Sequence, residues 1–498
     1  MADLPPNVYK KQITNAGSGL FASEAVEPGK EVFRIERPLV SVLNQNHLTT
    51  ACANCFLWVP ENDEDAVGGG NGGEEPKKKK LRACQGCKIV RYCSKDCQTQ
   101  SWTHSHRHEC KIFSKLYPKV LPNTARIVMQ LLLRQKANNL HDSEWQAFLA
   151  LRSHIDDFRS SQNSNEGGLP TWQTIELMSQ AASNYSGSKR PMQFIQTLTG
   201  RVLVNTLTLT TPTFDPLGLT LSPTASLLNH SCTPNTAITY SGSRLTVRSL
   251  CEIPPNTELT ISYIDTTNAT SIRQTELQDR YFFTCTCPAC STNTTNGKPD
   301  EKDHAFEATL VRAIELQNSA SSQRPDQAAP LLKQAIDLFA PYSPHRQPYA
   351  AILHTAFLNA ISRQNWPAAF TYSLRAYFYI DAVHYQPDWH PVRIVRKWVL
   401  LRLVVQIAGL ASESDPSVEA LQKFGVDWQI FAMSLLSDVS EGIPKSHGED
   451  NLFAKEVEGF AGDTGMVGRS VESDVVESEM VKLRRIAEYS VKEVKMLE

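Results

Sequence analysis

The 498-residue chain has no apolar run long enough to cross a membrane as a helix. Such a span needs about 20 consecutive apolar residues, and the longest candidate, Trp398 to Ala411, is interrupted by Arg402 and Gln406. That run reads as a buried helix. Charge of one sign is also missing. With 50 Lys and Arg against 52 Asp and Glu, the net charge of −2 creates no global field that would select a nucleic acid, a membrane or an acidic substrate. The opening Met-Ala-Asp-Leu-Pro-Pro lacks the basic-then-apolar order of a secretory leader. Cysteine is nearly absent outside spaced groups, and Cys251 alone stands apart from them, expected to be a buried thiol without function. Closely spaced Cys pairs in a chain of this kind read as metal ligands rather than disulfides. They place the protein in a reducing compartment, nucleus and cytoplasm.

What is present begins with those cysteines. Cys52-x2-Cys55, Cys84-x2-Cys87, Cys93-x3-Cys97 and His106-x3-Cys110 supply eight soft ligands, enough for two tetrahedral zinc sites. His106 is preferred to His104 and His108 because it alone stands one helical turn before Cys110. Further on, Cys285, Cys287 and Cys290 offer three ligands where a structural zinc takes four. Cys232 is the candidate for the fourth. Three ligands plus a water, as in a catalytic zinc, is the alternative, but no histidine or carboxylate signature accompanies it. Within the first group, residues 61–80 run acidic (Glu61, Asp63, Glu64, Asp65), then Gly-rich, then basic from Lys77 to Lys80. That composition cannot bury a core and predicts a disordered loop. Lys77 to Arg82 reads either as a solvated charged face or as a nuclear localisation signal. The basic stretch from Lys77 to Lys119 predicts weak contact with nucleic acid, without base readout.

At 498 residues and 41% hydrophobic content, two to four soluble domains are expected. Residues 10–42 alternate short β-like runs with turns, and the plain reading of Gly17-Ser18-Gly19 is a hairpin turn. Helical spacing of apolar residues follows at Thr124 to Lys136, Ser143 to Arg159 and Thr171 to Ser183, with a polar loop from Ser160 to Pro170. Val202 to Asn205 leads into a Thr-rich β stretch. Ala237 to Tyr240 and Arg244 to Val247 read as a hairpin closed by Ser241-Gly242-Ser243. Between these segments Leu227-Leu228 runs into Asn229-His230-Ser231-Cys232 and Pro234, which fits no regular element and suits a turn facing a ligand. A β-like run from Glu258 ends at Tyr263. Beyond residue 300, helices are predicted at Ala305–Gln317, Gln327–Leu338, Tyr349–Arg363, Pro367–Val383 and Val392–Ile407. Trp366 to Ala369 with Tyr372, Ala376 and Pro387 resembles a degenerate tetratricopeptide repeat. From Asp438 to Glu479 the chain carries eleven acidic residues. Gly459 to Gly468 is predicted as a flexible acidic loop and Val475 to Met496 as a closing amphipathic helix.

The Asn-His-Ser-Cys turn, the run ending at Tyr263 and the Cys285–Cys290 cluster, in that order, resemble the catalytic core of SET-domain protein lysine methyltransferases. The Cys52–Cys110 segment, with Gln98 and Trp102, resembles a MYND zinc module. Together they resemble the SET and MYND domain (SMYD-type) methyltransferases, strongly over residues 10–290 and weakly beyond. The resemblance implies an α+β multidomain fold with a mostly-β SET core (1–50 and 201–265). A MYND finger (51–110) and a helical insert (111–200) would interrupt that core. A post-SET zinc segment (266–295) and a helical, TPR-like domain with an acidic tail (300–498) would follow. It implies interleaved zinc ligation, with Cys52, Cys55, Cys93 and Cys97 on one ion and Cys84, Cys87, His106 and Cys110 on another, although the chain from Cys97 to His106 is one residue longer than usual.

The cofactor implied is S-adenosylmethionine, alongside three zinc ions. Gly17, Ser18, Gly19, His154, Asn205, Ser226, Asn229 and His230 would bind the cofactor, with Phe283 covering its adenine. Tyr263 would be the catalytic tyrosine, and Tyr263 with Tyr281 would line the lysine channel. In Leu151-Arg152-Ser153-His154, Arg152 stands where many relatives carry an acid. The implied partners are a protein substrate (a histone tail or a non-histone lysine) and proline-rich peptides on the MYND module, with the chain itself a monomer. The alternative reading is an interaction adaptor with an inactive SET core.

Overall fold

The computed structural model describes residues 4–13, 17–59, 80–161, 171–268, 270–295, 304–342, 344, 347–466 and 472–489. The chain divides into two compact units. One comprises Met1–Ile261 with Glu276–Thr284, the other Ser262–Thr275 with Cys285–Glu498.

The first unit is built from strands of two to six residues, too short to specify themselves by alternation alone. β1 (Val8–Ile13) and β2 (Gly17–Ala22) form an antiparallel hairpin, Ile13 opposite Gly17. β3 (Glu31–Ile35) and β4 (Val40–Leu43) enter different sheets. β5 (Arg82–Ala83) and β6 (Arg91–Tyr92) pair within the cysteine segment. β7 (Leu207–Thr210) and β8 (Pro216–Leu221) complete the sheet β4-β8-β7. β9 (Asn229–His230) is a two-residue strand inside the stretch read as a turn. β10 (Thr236–Ser241) and β11 (Arg244–Ser249) are the expected hairpin, and β3 pairs on the far side of β11. β12 (Thr260–Ile261) runs parallel to β9, Thr260 opposite Asn229 and Ile261 opposite His230.

A layer of helices covers one part of this unit. Asn123–Lys136 packs against Trp172–Ser186 and Met192–Asn205, and it is buried almost all round. A helix so placed must satisfy its polar residues internally. Arg126 donates to the carbonyls of Leu43 and Leu121, and Arg134 to those of Leu39 (2.5 Å) and Asn139 (3.2 Å). Two arginines thereby join this helix to the chain at both ends of β4.

Some expectations are corrected here. The helix expected over Ser143–Arg159 is two helices, Asp142–Leu149 and Ile155–Ser160. His154 breaks it with a left-handed backbone (φ 49°), a conformation few non-glycine residues adopt. Cys251 is exposed rather than buried: Ile253, two residues on and bridged to Val26, is the residue that turns inward, while Cys251 faces solvent. The Lys77–Lys79 part of the basic run and most of the polar loop to Pro170 lie outside the described residues.

The second unit is helical. His304–Ser321, Pro325–Asp337, Tyr349–Ser362 and Trp366–Arg375 pack in succession. Leu316, Leu332, Ile336, Phe339, Ile352 and Leu353 fill one core among them. Trp366–Arg375 continues through a π turn, Ala376–Ile380. The long apolar run falls within Pro391–Ser412, which packs against Trp428–Ser446. There Trp398 meets Phe453 and Phe460 edge to face at 5.9 and 5.0 Å. Among the described residues no helix is long and apolar enough to cross a membrane. The predicted acidic loop from Gly459 is helical up to Thr464, within Leu452–Thr464. The apolar stripe Phe453, Ala454 and Val457 holds that helix against the core despite its glycines. The last described helix is Ser473–Tyr489.

Candidate functional site

Two groups of metal ligands fix the chain within the first unit. Cys52, Cys55, Cys93 and Cys97 bring their donor atoms within 4.8 Å of one another, and so do Cys84, Cys87, His106 and Cys110. Sulfurs are 3.6 Å apart for Cys55–Cys93, 3.5 Å for Cys93–Cys97 and 3.8 Å for Cys84–Cys110. The Nε2 of His106 is 3.3 Å from the Cys84 sulfur and 3.6 Å from that of Cys87. A tetrahedron with Zn–S bonds near 2.3 Å has its corners about 3.8 Å apart, so both groups fit zinc. The Cys84 thiol is pushed up by burial, but the Cys87 backbone N–H and His106 outweigh this and bring it down to about 7, towards the thiolate a metal needs.

Local structure explains how the ligands are presented. Ser94 caps the helix Lys95–Ser101 by accepting from the Cys97 N–H at 3.1 Å. The next five residues, Trp102–His106, form a π turn before Arg107–Leu116. A π turn is wound more widely than an α-helix, and this one carries the chain from the Cys97 helix to His106. Glu109, 7% exposed, faces the other ring nitrogen of His106 at 3.4 Å and accepts from Gln130 at 3.2 Å. A carboxylate behind a ligating imidazole fixes its tautomer and orientation. Ligand spacing alone gave no sign of Glu109.

In the second unit Cys285, Cys287 and Cys290 form a third group with sulfurs within 4.8 Å. Gln274 grips Cys285 through two bonds, donating to its carbonyl (2.7 Å) and accepting from its N–H (2.9 Å). Arg273 reaches the Cys290 sulfur at 3.8 Å, a cation suited to a thiolate.

The polar site lies in the first unit, where β2, β9 and β12 meet. The parallel pair β9–β12 is laced by side chains. The Asn235 Nδ2 donates to the Glu258 carbonyl at 2.8 Å, and its Oδ1 accepts from the Thr260 N–H at 2.8 Å. Asn229 donates to the Glu258 carboxylate at 2.7 Å and towards the Ser18 carbonyl at 3.4 Å. A Cβ on Gly19 would meet Glu258 Oε1 and Ile13 Cδ1 at 2.7 Å and Asn229 Nδ2 at 2.9 Å. The absence of a Cβ at Gly19 thus lets the ends of three side chains close on the strand, beyond its part in a hairpin. Gly17 has φ +83°, and a Cβ there would lie 2.8 Å from Arg152 Nε.

The other expected residues extend this arrangement. Asn205, the last residue of its helix, donates to the Arg152 carbonyl at 2.8 Å, and Ser226 donates to the Asn205 carbonyl at 2.8 Å. His154 bonds Asp157 at 2.8 Å and stacks on Phe282 at 5.3 Å between centroids. His230 lies 6.0 Å from the Phe283 ring, and its Nε2 is 3.3 Å from the Cys232 sulfur. Adjacent phenylalanines thus serve two histidines. Phe282, with φ 60°, and Phe158, edge-on to it at 4.7 Å, were not expected from the sequence. Tyr281 has its hydroxyl pKa raised by burial, partly offset by Arg280, whose guanidinium stands 5.5 Å from its ring. Tyr263, half-buried, lies in the bend after β12, in the second unit.

A protein-family model for the SET domain matches residues 17–264. The fission-yeast (Schizosaccharomyces pombe) SET domain and MYND-type zinc finger protein 6 is 30% identical over 399 residues, covering 79% of this chain and 70% of that protein. The mouse histone-lysine N-methyltransferase SMYD3 is 28% identical over 286 residues, covering 57% of this chain and 61% of that one. The zebrafish N-lysine methyltransferase SMYD2-B is 30% identical over 291 residues, with 58% and 61% covered. The chain thus spans less than two thirds of the length of these two methyltransferases. The SET domain of LSMT, solved with lysine and AdoHcy, aligns at 10% identity over 98% of this chain and 90% of that one, with a TM-score of 0.24, too loose a likeness to carry an argument. The extent of the fission-yeast match, with the SET match at its centre, shows that the chain belongs to the SET and MYND domain protein family.

Proposed function

We propose that this protein is an S-adenosylmethionine-dependent protein-lysine N-methyltransferase. The observation that carries the reading is the junction of β2, β9 and β12. It gathers Gly17, Gly19, Asn229 and Glu258, with Asn205, Ser226 and the Arg152–His154 backbone bonded in series beside them. Two closely approached glycines, one of them at positive φ, an asparagine amide and an aromatic pair suit a small polar cofactor with an aromatic base. When bound, that cofactor supplies a methyl group on a positively charged sulfur.

The chain's own part in methyl transfer is positioning and drying. A lysine amine attacks only without its proton, and an apolar channel lowers its pKa by disfavouring the charged form. Tyr263 follows β12 by two residues, so covalent geometry keeps its Cα within about 7 Å of that of Ile261, the partner of His230. Its hydroxyl would orient the amine. Tyr281, kept a neutral phenol by burial, would form the channel wall with a face that tolerates a methylated cation. Phe283 and Phe282 would cover the adenine.

The finer architecture belongs to the same proposal. Residues 51–110 are the MYND module, whose exposed Trp102 (45%) offers an aromatic face to proline-rich peptides. Residues 266–295 are the post-SET segment, whose Cys285, Cys287 and Cys290 are zinc ligands. The helices after residue 300 are the TPR-like domain. The substrate is a histone or another protein.

Methylation of a histone mixture by wild type and Tyr263→Phe, with radiolabelled S-adenosylmethionine, tests this reading. Transfer to lysine that falls at least tenfold in the variant supports it. Undiminished transfer in the variant removes Tyr263 from the chemistry, and binding of the cofactor with no transfer to any protein favours the adaptor.

A further inference from the structure

Resting on the reading that β2 and Asn229 hold the cofactor, we propose that Arg152 binds the carboxylate of the cofactor's amino-acid end and that Glu258 takes its ammonium. Most polar side chains of this site already have a protein partner: Asn205, Ser226, Asn229 and His154 are all bonded. Arg152 is the exception. Among the described residues no acceptor meets its guanidinium, although that group lies against Gly17.

The arginine is presented from an anchored backbone. Its own carbonyl accepts from Asn205, and the carbonyl of the preceding Leu151 accepts from Arg201 at 2.9 Å. Gly17 and Gly19 project to the same face of β2, because side-chain direction repeats every second residue. Arg152 occupies that face at Gly17, and Glu258 occupies it at Gly19. The other cation on the face, Lys11 opposite Gly19, lies over the Phe21 ring at 5.2 Å, at the far end from Gly17.

The spacing suits a zwitterion. Two residues of strand place Gly17 and Gly19, against which Arg152 and Glu258 lie, about 7 Å apart. The ammonium and carboxylate of an α-amino acid are about 3 Å apart across its Cα, and charge-assisted bonds of about 2.8 Å at either end bridge an interval of this size when they meet the zwitterion at an angle. Glu258 accepts from Asn229 through Oε1, and its Oε2 remains available to an ammonium. The planar fork of arginine matches a carboxylate with two parallel bonds.

Calorimetric binding of two ligands to the full-length chain separates this role from general cofactor affinity. S-adenosylhomocysteine carries the amino-acid end, whereas 5′-methylthioadenosine keeps the adenosine and sulfur without it. Arg152→Gln is expected to weaken S-adenosylhomocysteine at least tenfold and to leave 5′-methylthioadenosine within twofold, with Arg152→Lys between wild type and Gln. Thermal melting of the variants, expected to be unchanged for this exposed side chain, excludes misfolding. Equal loss of both ligands, or unchanged S-adenosylhomocysteine affinity, overturns the assignment. A wild type that binds neither ligand overturns instead the methyltransferase reading on which it rests.

Discussion

The two units reach order by different routes. In the first, residues far apart in sequence are tied one by one: Asn229 to Ser18, Arg126 to Leu43, Arg134 to Leu39, and cysteines to one another in two metal groups. Its strands are too short to stand without those ties. In the second, each helix packs mainly on neighbours in sequence through apolar stripes such as Leu332, Ile336, Ile352 and Leu353. The first unit spends its precision on a polar junction, while the second gains its order from ordinary apolar burial.

Metal removal should break that comparison most sharply. Structural zinc contributes about 10–16 kcal/mol of apparent binding energy in zinc-finger peptides. A strong chelator, or Cys84→Ser, is expected to expose residues 80–116 to protease while the helical circular dichroism of residues 304–489 survives. Equal loss of both signals would contradict separate routes. Next in size, Phe370→Ala, at a fully buried position in the helical unit, should cost about 3–5 kcal/mol in denaturant unfolding without altering zinc content.

Smaller effects sharpen the account of the first unit. Gly19→Ala must displace the side-chain ends of Glu258, Ile13 and Asn229, and overpacking of this kind costs at most about 1–3 kcal/mol. Reduced cofactor affinity should accompany the lowered melting temperature. Glu109→Gln leaves His106 less firmly oriented and should weaken zinc about 10- to 100-fold, as read by competition with a chromophoric chelator. Arg312→Ala loses only an exposed pair with Glu315, worth at most about 1 kcal/mol, and should leave the melting curve nearly unmoved.

The same contrast governs what the sequence reveals. Tyr349–Arg363 was expected as a helix and Tyr349–Ser362 is found, because a local apolar period needs no distant partner. Periodicity did not disclose Trp428–Ser446, nor Leu452–Thr464 with its glycines, since charge and Gly content masked a narrower stripe. In the first unit, spacing made the cysteine groups legible, and the Asn-His-Ser-Cys stretch marked the junction. Phe282, Glu258 and Glu109 were not legible. Each acquires meaning only from a residue distant in sequence or on another turn: His154, Asn229 and His106. His154 itself escaped the helical pattern through a backbone conformation that apolar periodicity does not encode. Cys251, expected to be buried, shows that apolar character without a facing partner does not establish burial.

Calorimetric titration of S-adenosylmethionine into the zinc-loaded chain, with Asn229→Ala beside it, tests the central claim most directly. One site per chain in the wild type, weakened at least tenfold in the variant, is the expected result. No binding by the wild type, or equal binding by both, would contradict the claim that the junction of β2, β9 and β12 holds the cofactor.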